Sequence, residues 1–86
     1  MTYKIKFTKA AEKQLADLPK AEMKKIAKKI DKLAANPLPH DCKKLEGEDS
    51  IYRIRQGDYR ILYSIFGKEL VVLVLKIGHR REIYRK

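Results

Sequence analysis

The chain has 86 residues and a formal net charge of +10, from 21 Lys+Arg against 11 Asp+Glu. That length suits a single domain, 1–86, whose core must be economical, since a chain this short buries only roughly 60% of the surface it exposes when unfolded. No apolar run approaches the ~20 residues of a membrane span, no secretory signal precedes the domain, and the lone Cys42 closes no internal disulfide, so the sequence points to a cytoplasmic protein without a membrane segment, a disulfide framework, a metal module or a cofactor.

Residues 3–7 alternate apolar and basic, the period of a strand with one buried face. Thr8 is placed to cap a helix in which Ala11, Leu15 and Leu18 share a face. Pro19 suits the first turn of a second helix, where Met23, Ile26, Ala27, Ile30, Leu33 and Ala34 form an apolar stripe and five Lys lie mostly off it. Asn36-Pro37 ends that helix, because a residue before proline avoids the helical region. Residues 37–50 read as a loop. Beyond it the period changes to two, predicting strands over 51–56, 59–66 and 69–77, joined by the two-residue turns Gly57-Asp58 and Gly67-Lys68. The predicted fold is α+β in two layers, β-α-α-β-β-β, with an N-terminal helical hairpin packed on a mainly antiparallel four-stranded sheet.

Two-residue turns allow the register to be counted. Gln56 then faces Tyr59, Arg55 faces Arg60, Ile54 faces Ile61, Arg53 faces Leu62 and Tyr52 faces Tyr63. In the second hairpin Ile65 faces Leu70, Tyr63 faces Val72 and Ile61 faces Val74. The helix-covered face collects Tyr52, Ile54, Ile61, Tyr63, Ile65, Leu70, Val72 and Val74, while the opposite face collects Arg53, Arg55 and Arg60 beside Leu62, Leu73 and Leu75. Like charges directly opposite in a hairpin cost a fraction of a kcal/mol to about 1 kcal/mol, so Arg55 against Arg60 is a poor choice for folding alone. Such local conflicts mark functional sites. The competing explanation is that these Arg splay into solvent and pair with Glu46, Glu48 or Asp58.

The basic residues are sorted along the chain. All ten before position 43 are Lys, whereas all six Arg lie at or after position 53. Arg holds phosphate through a planar fork and Lys acts as a mobile point charge, so the second half is where an anion site is expected. Nucleic acid is the leading polyanion; an acidic protein partner stays open. Past the third strand, Gly78 precedes a segment with three Arg, His79 and Tyr84. Strand alternation would turn His79 to the arginine face.

The stretch Tyr52-Arg53-Ile54-Arg55-Gln56-Gly57-Asp58-Tyr59-Arg60, followed by Gly78-His79-Arg80-Arg81-Glu82-Ile83-Tyr84-Arg85, resembles the RelE/ParE toxin superfamily, its ending more RelE than ParE. The resemblance covers nearly the whole chain. It implies the toxin of a toxin–antitoxin pair, with a RelB-like antitoxin as partner. It also implies a metal-independent mRNA interferase that enters the ribosomal A site and cuts by attack of the RNA 2′-hydroxyl on the adjacent phosphodiester. The alternative is a ParE-like DNA gyrase poison with no nuclease activity. Carried over by position, Arg53, Arg55, Arg60, Arg80 and Tyr84 are the catalytic set, with His79 or Tyr84 as the proton acceptor, because an Arg with pKa above about 12 is a poor base. Lys43, Lys44, Arg81 and Arg85 are expected to bind RNA.

Overall fold

The computed structural model describes residues 2–45 and 51–79. Strand β1 (Lys4–Phe7) leads into helices α1 (Lys9–Ala16) and α2 (Lys20–Asp31), the latter continued by a 3-10 turn over Lys32–Ala34. Then follow β2 (Lys43–Lys44), β3 (Ile51–Gln56), β4 (Tyr59–Phe66) and β5 (Val71–His79). The strands form one sheet in the order β1-β5-β4-β3-β2, with β1 parallel to β5 and the other neighbours antiparallel. The two-layer α+β arrangement is the expected one, but the sheet has five strands among the described residues, not four. The addition is β2, which falls in the expected loop. Two residues carry no periodic signal; β2 exists because Lys43 pairs with Arg53, Lys44 with Tyr52, and the Leu45 N–H donates to the Ile51 carbonyl at 2.8 Å.

Helix α1 starts where Thr8 accepts a hydrogen bond from the Ala11 N–H through Oγ1 at 3.1 Å, relieving one of the unpaired donors of the first turn. The same hydroxyl donates to the Leu75 carbonyl at 2.8 Å, so the cap also ties the helix to β5. Pro19 caps α2 from just outside it, one position earlier than expected. Ile26, Ile30 and Leu33 from the predicted stripe are buried with Ala11 of α1, against Ile54, Ile61, Tyr63, Val72, Val74 and Ile77 of the sheet. Tyr63 is fully buried and stacks on Tyr52 with ring centroids 5.9 Å apart, and its hydroxyl donates to the Pro37 carbonyl at 2.7 Å. Burial pushes its phenol far above the usual value, so the hydroxyl stays a donor and pins the loop after α2.

The first hairpin has the predicted register at every pair from Tyr52↔Tyr63 to Gln56↔Tyr59. The second does not. Its turn takes four residues, 67–70, closed by a Leu70 N–H to Gly67 carbonyl bond at 3.4 Å, and Leu70 has φ +55°. Ile65 therefore faces Val72 and Tyr63 faces Val74, a shift of two residues from the expected pairs. A shift of two preserves the faces, so Val72 and Val74 remain in the core.

A bulge then adds a shift of one. Tyr63 pairs with Val74 and Leu62 with Lys76, leaving Leu75 as the extra residue, and Ile61 pairs with Ile77. The bulge lets Val74 and Ile77, three positions apart, both enter the core; a straight strand would leave Ile77 outside and forfeit about 1.5–3 kcal/mol of burial. Beyond Phe7 no strand among the described residues covers this half of β5 on the β1 side. There the Thr8 N–H donates to the Val74 carbonyl at 3.0 Å, and Gln14 of α1 accepts the Ile77 N–H through Oε1 at 2.7 Å. The Thr8 backbone and hydroxyl and the Gln14 side chain replace the missing neighbour, satisfying backbone groups that would otherwise go unpaired. Among the described residues no helix is long and apolar enough to cross a membrane.

Candidate functional site

The geometry of the outer sheet face starts from the turn between β3 and β4. Gly57 carries a positive φ of +60° and Asp58 does not, the pattern of a type II′ turn, whose twist matches that of the flanking strands. A Cβ at Gly57 would meet open space, so the demand for glycine comes from the backbone angle alone. With that turn, two cross-strand rows form on the face away from the helices. One runs Lys43, Arg53, Leu62, Lys76; the other runs Arg55, Arg60, Gly78. Each row contains a pair of like charges directly opposite one another, Lys43 against Arg53 and Arg55 against Arg60.

These residues line one cleft of about 410 Å³, formed by Asp41, Lys43, Arg53, Ile54, Arg55 and Arg60. Arg60 is only 9% exposed. Its charge therefore acts through surroundings less screened than bulk water, where an anion feels it more strongly. Gly78, its neighbour on β5, has no side chain to fill the space beside it. Asp41 is the acid of the cleft, and its Oδ2 lies 2.6 Å from Nζ of Lys29 on α2. The hydrogen bond from Lys29 holds the Asp41 carboxyl below its usual range, so it is ionised at neutral pH. The arrangement suits a dianionic or polyanionic ligand: four cations converge, and the acid among them is already engaged by a fifth.

Of the residues singled out from the sequence, the structure brings together Arg53, Arg55, Arg60 and Lys43. Lys44 pairs with Tyr52 and so belongs to the helix-facing side of the sheet. His79 also departs from expectation. The bulge at Leu75 reverses the alternation, and His79 pairs with Tyr59 on the helix-facing side, with the rings edge to face at 5.8 Å. There it borders a cavity of about 450 Å³ with Gln14, Asp17 and Leu18, across the sheet from the arginine cleft. Arg80, Arg81, Tyr84 and Arg85, like Glu46 and Glu48, lie outside the described residues. Two residues of the outer face escaped the sequence reading, Asp41 and Lys76. The signal for Lys76 was present: in a straight strand it falls on the apolar phase while Ile77 falls on the polar one, and that inversion betrays a bulge. Asp41 precedes a strand too short to announce itself. Among the described residues no group of three or more His, Cys, Asp or Glu is placed to hold a metal ion.

Residues 5–84 match the family described as the ParE toxin of the type II toxin–antitoxin system parDE. The crystal structure of an archaeal RelE–RelB complex from Pyrococcus horikoshii superposes with a TM-score of 0.81 at 40% sequence identity, covering 93% of this chain and 97% of that one. Toxin RelG of Mycobacterium tuberculosis is 32% identical over the full length of both chains. The mRNA interferase toxin RelE of Escherichia coli is 28% identical, over 98% of this chain and 92% of its own. With the sheet order, the helical hairpin and the arginine hairpin in place, these similarities identify the chain as a RelE-like member of the RelE/ParE family of toxins from toxin–antitoxin pairs.

Proposed function

We propose that this toxin is a ribosome-dependent endoribonuclease that cuts mRNA in the A site and is held in check by a RelB-like antitoxin. The observation that carries the reading is the cleft itself, in which Lys43, Arg53, Arg55 and the largely buried Arg60 line one concavity. Attack of a 2′-hydroxyl on its own phosphodiester raises the phosphorus to a dianionic phosphorane, and preorganised cations aimed at that charge lower the barrier without needing a metal ion. In this scheme Arg53, Arg55 and Arg60 grip the phosphate and stabilise the phosphorane, and Lys43 follows the RNA backbone. Arg80 assists the departing 5′-oxygen, Tyr84 stacks on the scissile nucleotide, and Arg81 and Arg85 add backbone contacts. His79, packed on Tyr59 across the sheet, serves the fold and not the reaction. The E. coli relative named as an mRNA interferase and the archaeal relative complexed with RelB support the activity and the partner. The scheme treats residues 1–86 as one domain acting in the cytoplasm.

Primer extension on a defined mRNA in a translation extract tests the reading. The protein should introduce cuts only on translated message, and Arg60→Gln should slow them about 10²–10³-fold, the effect of removing one preorganised transition-state contact. A second reading is favoured by the ParE description of the matching family, a gyrase poison without chemistry of its own. That protein would leave the mRNA intact and arrest DNA supercoiling by purified gyrase.

A further inference from the structure

The proposed cleavage needs a group to take the 2′-hydroxyl proton, and the cleft is lined almost wholly by groups that cannot. The guanidinium groups of Arg53, Arg55 and Arg60 and the ammonium group of Lys43 offer only donors and no acceptor. Of the two expected acceptors, His79 sits on the other side of the sheet and Tyr84 lies outside the described residues. Among the described residues lining the cleft, only Asp41 presents a proton acceptor. Its carboxylate is not buried in a closed salt bridge: the residue is exposed, its side chain keeps 46% of its accessibility, and Lys29 engages Oδ2. We propose that Asp41 is the general base of this toxin, an assignment that rests on the nuclease reading.

Asp41 accepts the 2′-hydroxyl proton as the 2′-oxygen bonds to phosphorus. The bond from phosphorus to the 5′-oxygen breaks, and that oxygen leaves with a proton drawn from water. Asp41 then returns its proton to the hydroxide so formed, leaving a 2′,3′-cyclic phosphate and a 5′-hydroxyl. The Lys29 bond makes the carboxylate a weaker base but keeps it ionised. The titratable and charged groups around it are His40 beside it in the loop, Lys29 on α2, and the cleft's Lys43, Arg53, Arg55 and Arg60. General base catalysis of this kind contributes about 10²–10⁴-fold.

Single-turnover cleavage of mRNA on programmed ribosomes, across pH, tests the assignment with four variants beside the wild type. Asp41→Asn should lower kcat at least 100-fold with KM little changed, and Asp41→Glu should recover part of the loss. Lys29→Ala separates a base from a mere structural pair. It removes the same ion pair but frees a stronger base, so cleavage should persist, with the acid limb of the kcat profile moved to higher pH. If Asp41→Asn and Lys29→Ala behave alike, or if Asp41→Asn cuts as fast as the wild type, the assignment falls. Tyr84→Phe losing the reaction while Asp41→Asn keeps it would transfer the role to Tyr84. Two controls on the wild type isolate the underlying reading. A 2′-deoxy nucleotide at the scissile position should block cutting, and a wild-type protein that cuts no message removes the nuclease proposal and the base assignment together.

Discussion

The two hairpins of the sheet share strand β4 and yet obey different rules. In β3–β4 a two-residue turn with φ +60° at Gly57 sets a register that runs unbroken to Ile51↔Ser64. In β4–β5 the turn takes four residues, places Leu70 at φ +55°, and is followed by a bulge at Leu75. The first hairpin is written by its turn; the second is adjusted by the core. The functional consequence divides the same way. The regular hairpin stacks cations on one face, and the irregular one removes His79 from that face while adding Lys76 to it.

The largest effect is expected from weakening the reason for the bulge. Ile77→Ala removes a side chain that is 2% exposed and enters the core only because Leu75 is extra; it should cost about 2–5 kcal/mol in urea unfolding, whereas Lys76→Ala should change stability by less than about 0.5 kcal/mol. Equal effects at the two positions would mean that the bulge does not set the face. The next contrast sets the two positive-φ residues against each other. Gly57→Ala should destabilise by about 1–2 kcal/mol, the cost of a Cβ in the left-handed region, although the side chain meets no neighbour. Leu70→Gly relieves that same strain while losing a half-buried side chain, so its net effect should stay within about 1 kcal/mol.

Smaller effects probe the charge on the regular hairpin. Arg55→Gln removes a like-charge pair and should raise the stability of the free protein by a few tenths to about 1 kcal/mol, while impairing the proposed activity. Sulfate should raise the melting temperature of the wild type more than that of Arg55→Gln, which calorimetry in matched ionic strength would show. The smallest effect belongs to the Lys29–Asp41 pair. Because the folded state lowers the Asp41 pKa below its ordinary 3.8, the pair's contribution is present above that value and is lost as pH falls through the folded one. Lys29→Ala should therefore cost at most about 1 kcal/mol at neutral pH, less in high salt, and nothing in strong acid, as read from urea midpoints across pH.

Much of this architecture is legible because short-range chemistry states it. The Thr8 cap, the Ile26–Ile30–Leu33 stripe, the stop at Asn36-Pro37 and the Gly57 turn each rest on a few adjacent residues or one helical period. From them follow the first hairpin and the meeting of Arg53, Arg55 and Arg60. The second hairpin was less legible, since Gly67 permits a short turn that Leu70 and Val71 do not use. The pattern Val74, Lys76, Ile77 held the correction, but only for a reader prepared to trade strict alternation for burial.

By itself the sequence determined the helical hairpin, the face that each residue of β3 and β4 presents, and the opposition of Arg55 to Arg60, because these depend on backbone preferences and on a period of two counted from a defined turn. Only the tertiary structure decided that Lys43 closes the cleft from β2, that Asp41 stands among its cations, and that His79 faces the helices. Each of those placements depends on contacts distant in sequence: a two-residue strand held by β3, an ion pair reaching from α2, and a bulge at which the Leu75 carbonyl and the nearby Ile77 N–H are met by Thr8 and Gln14, more than sixty residues earlier in the chain.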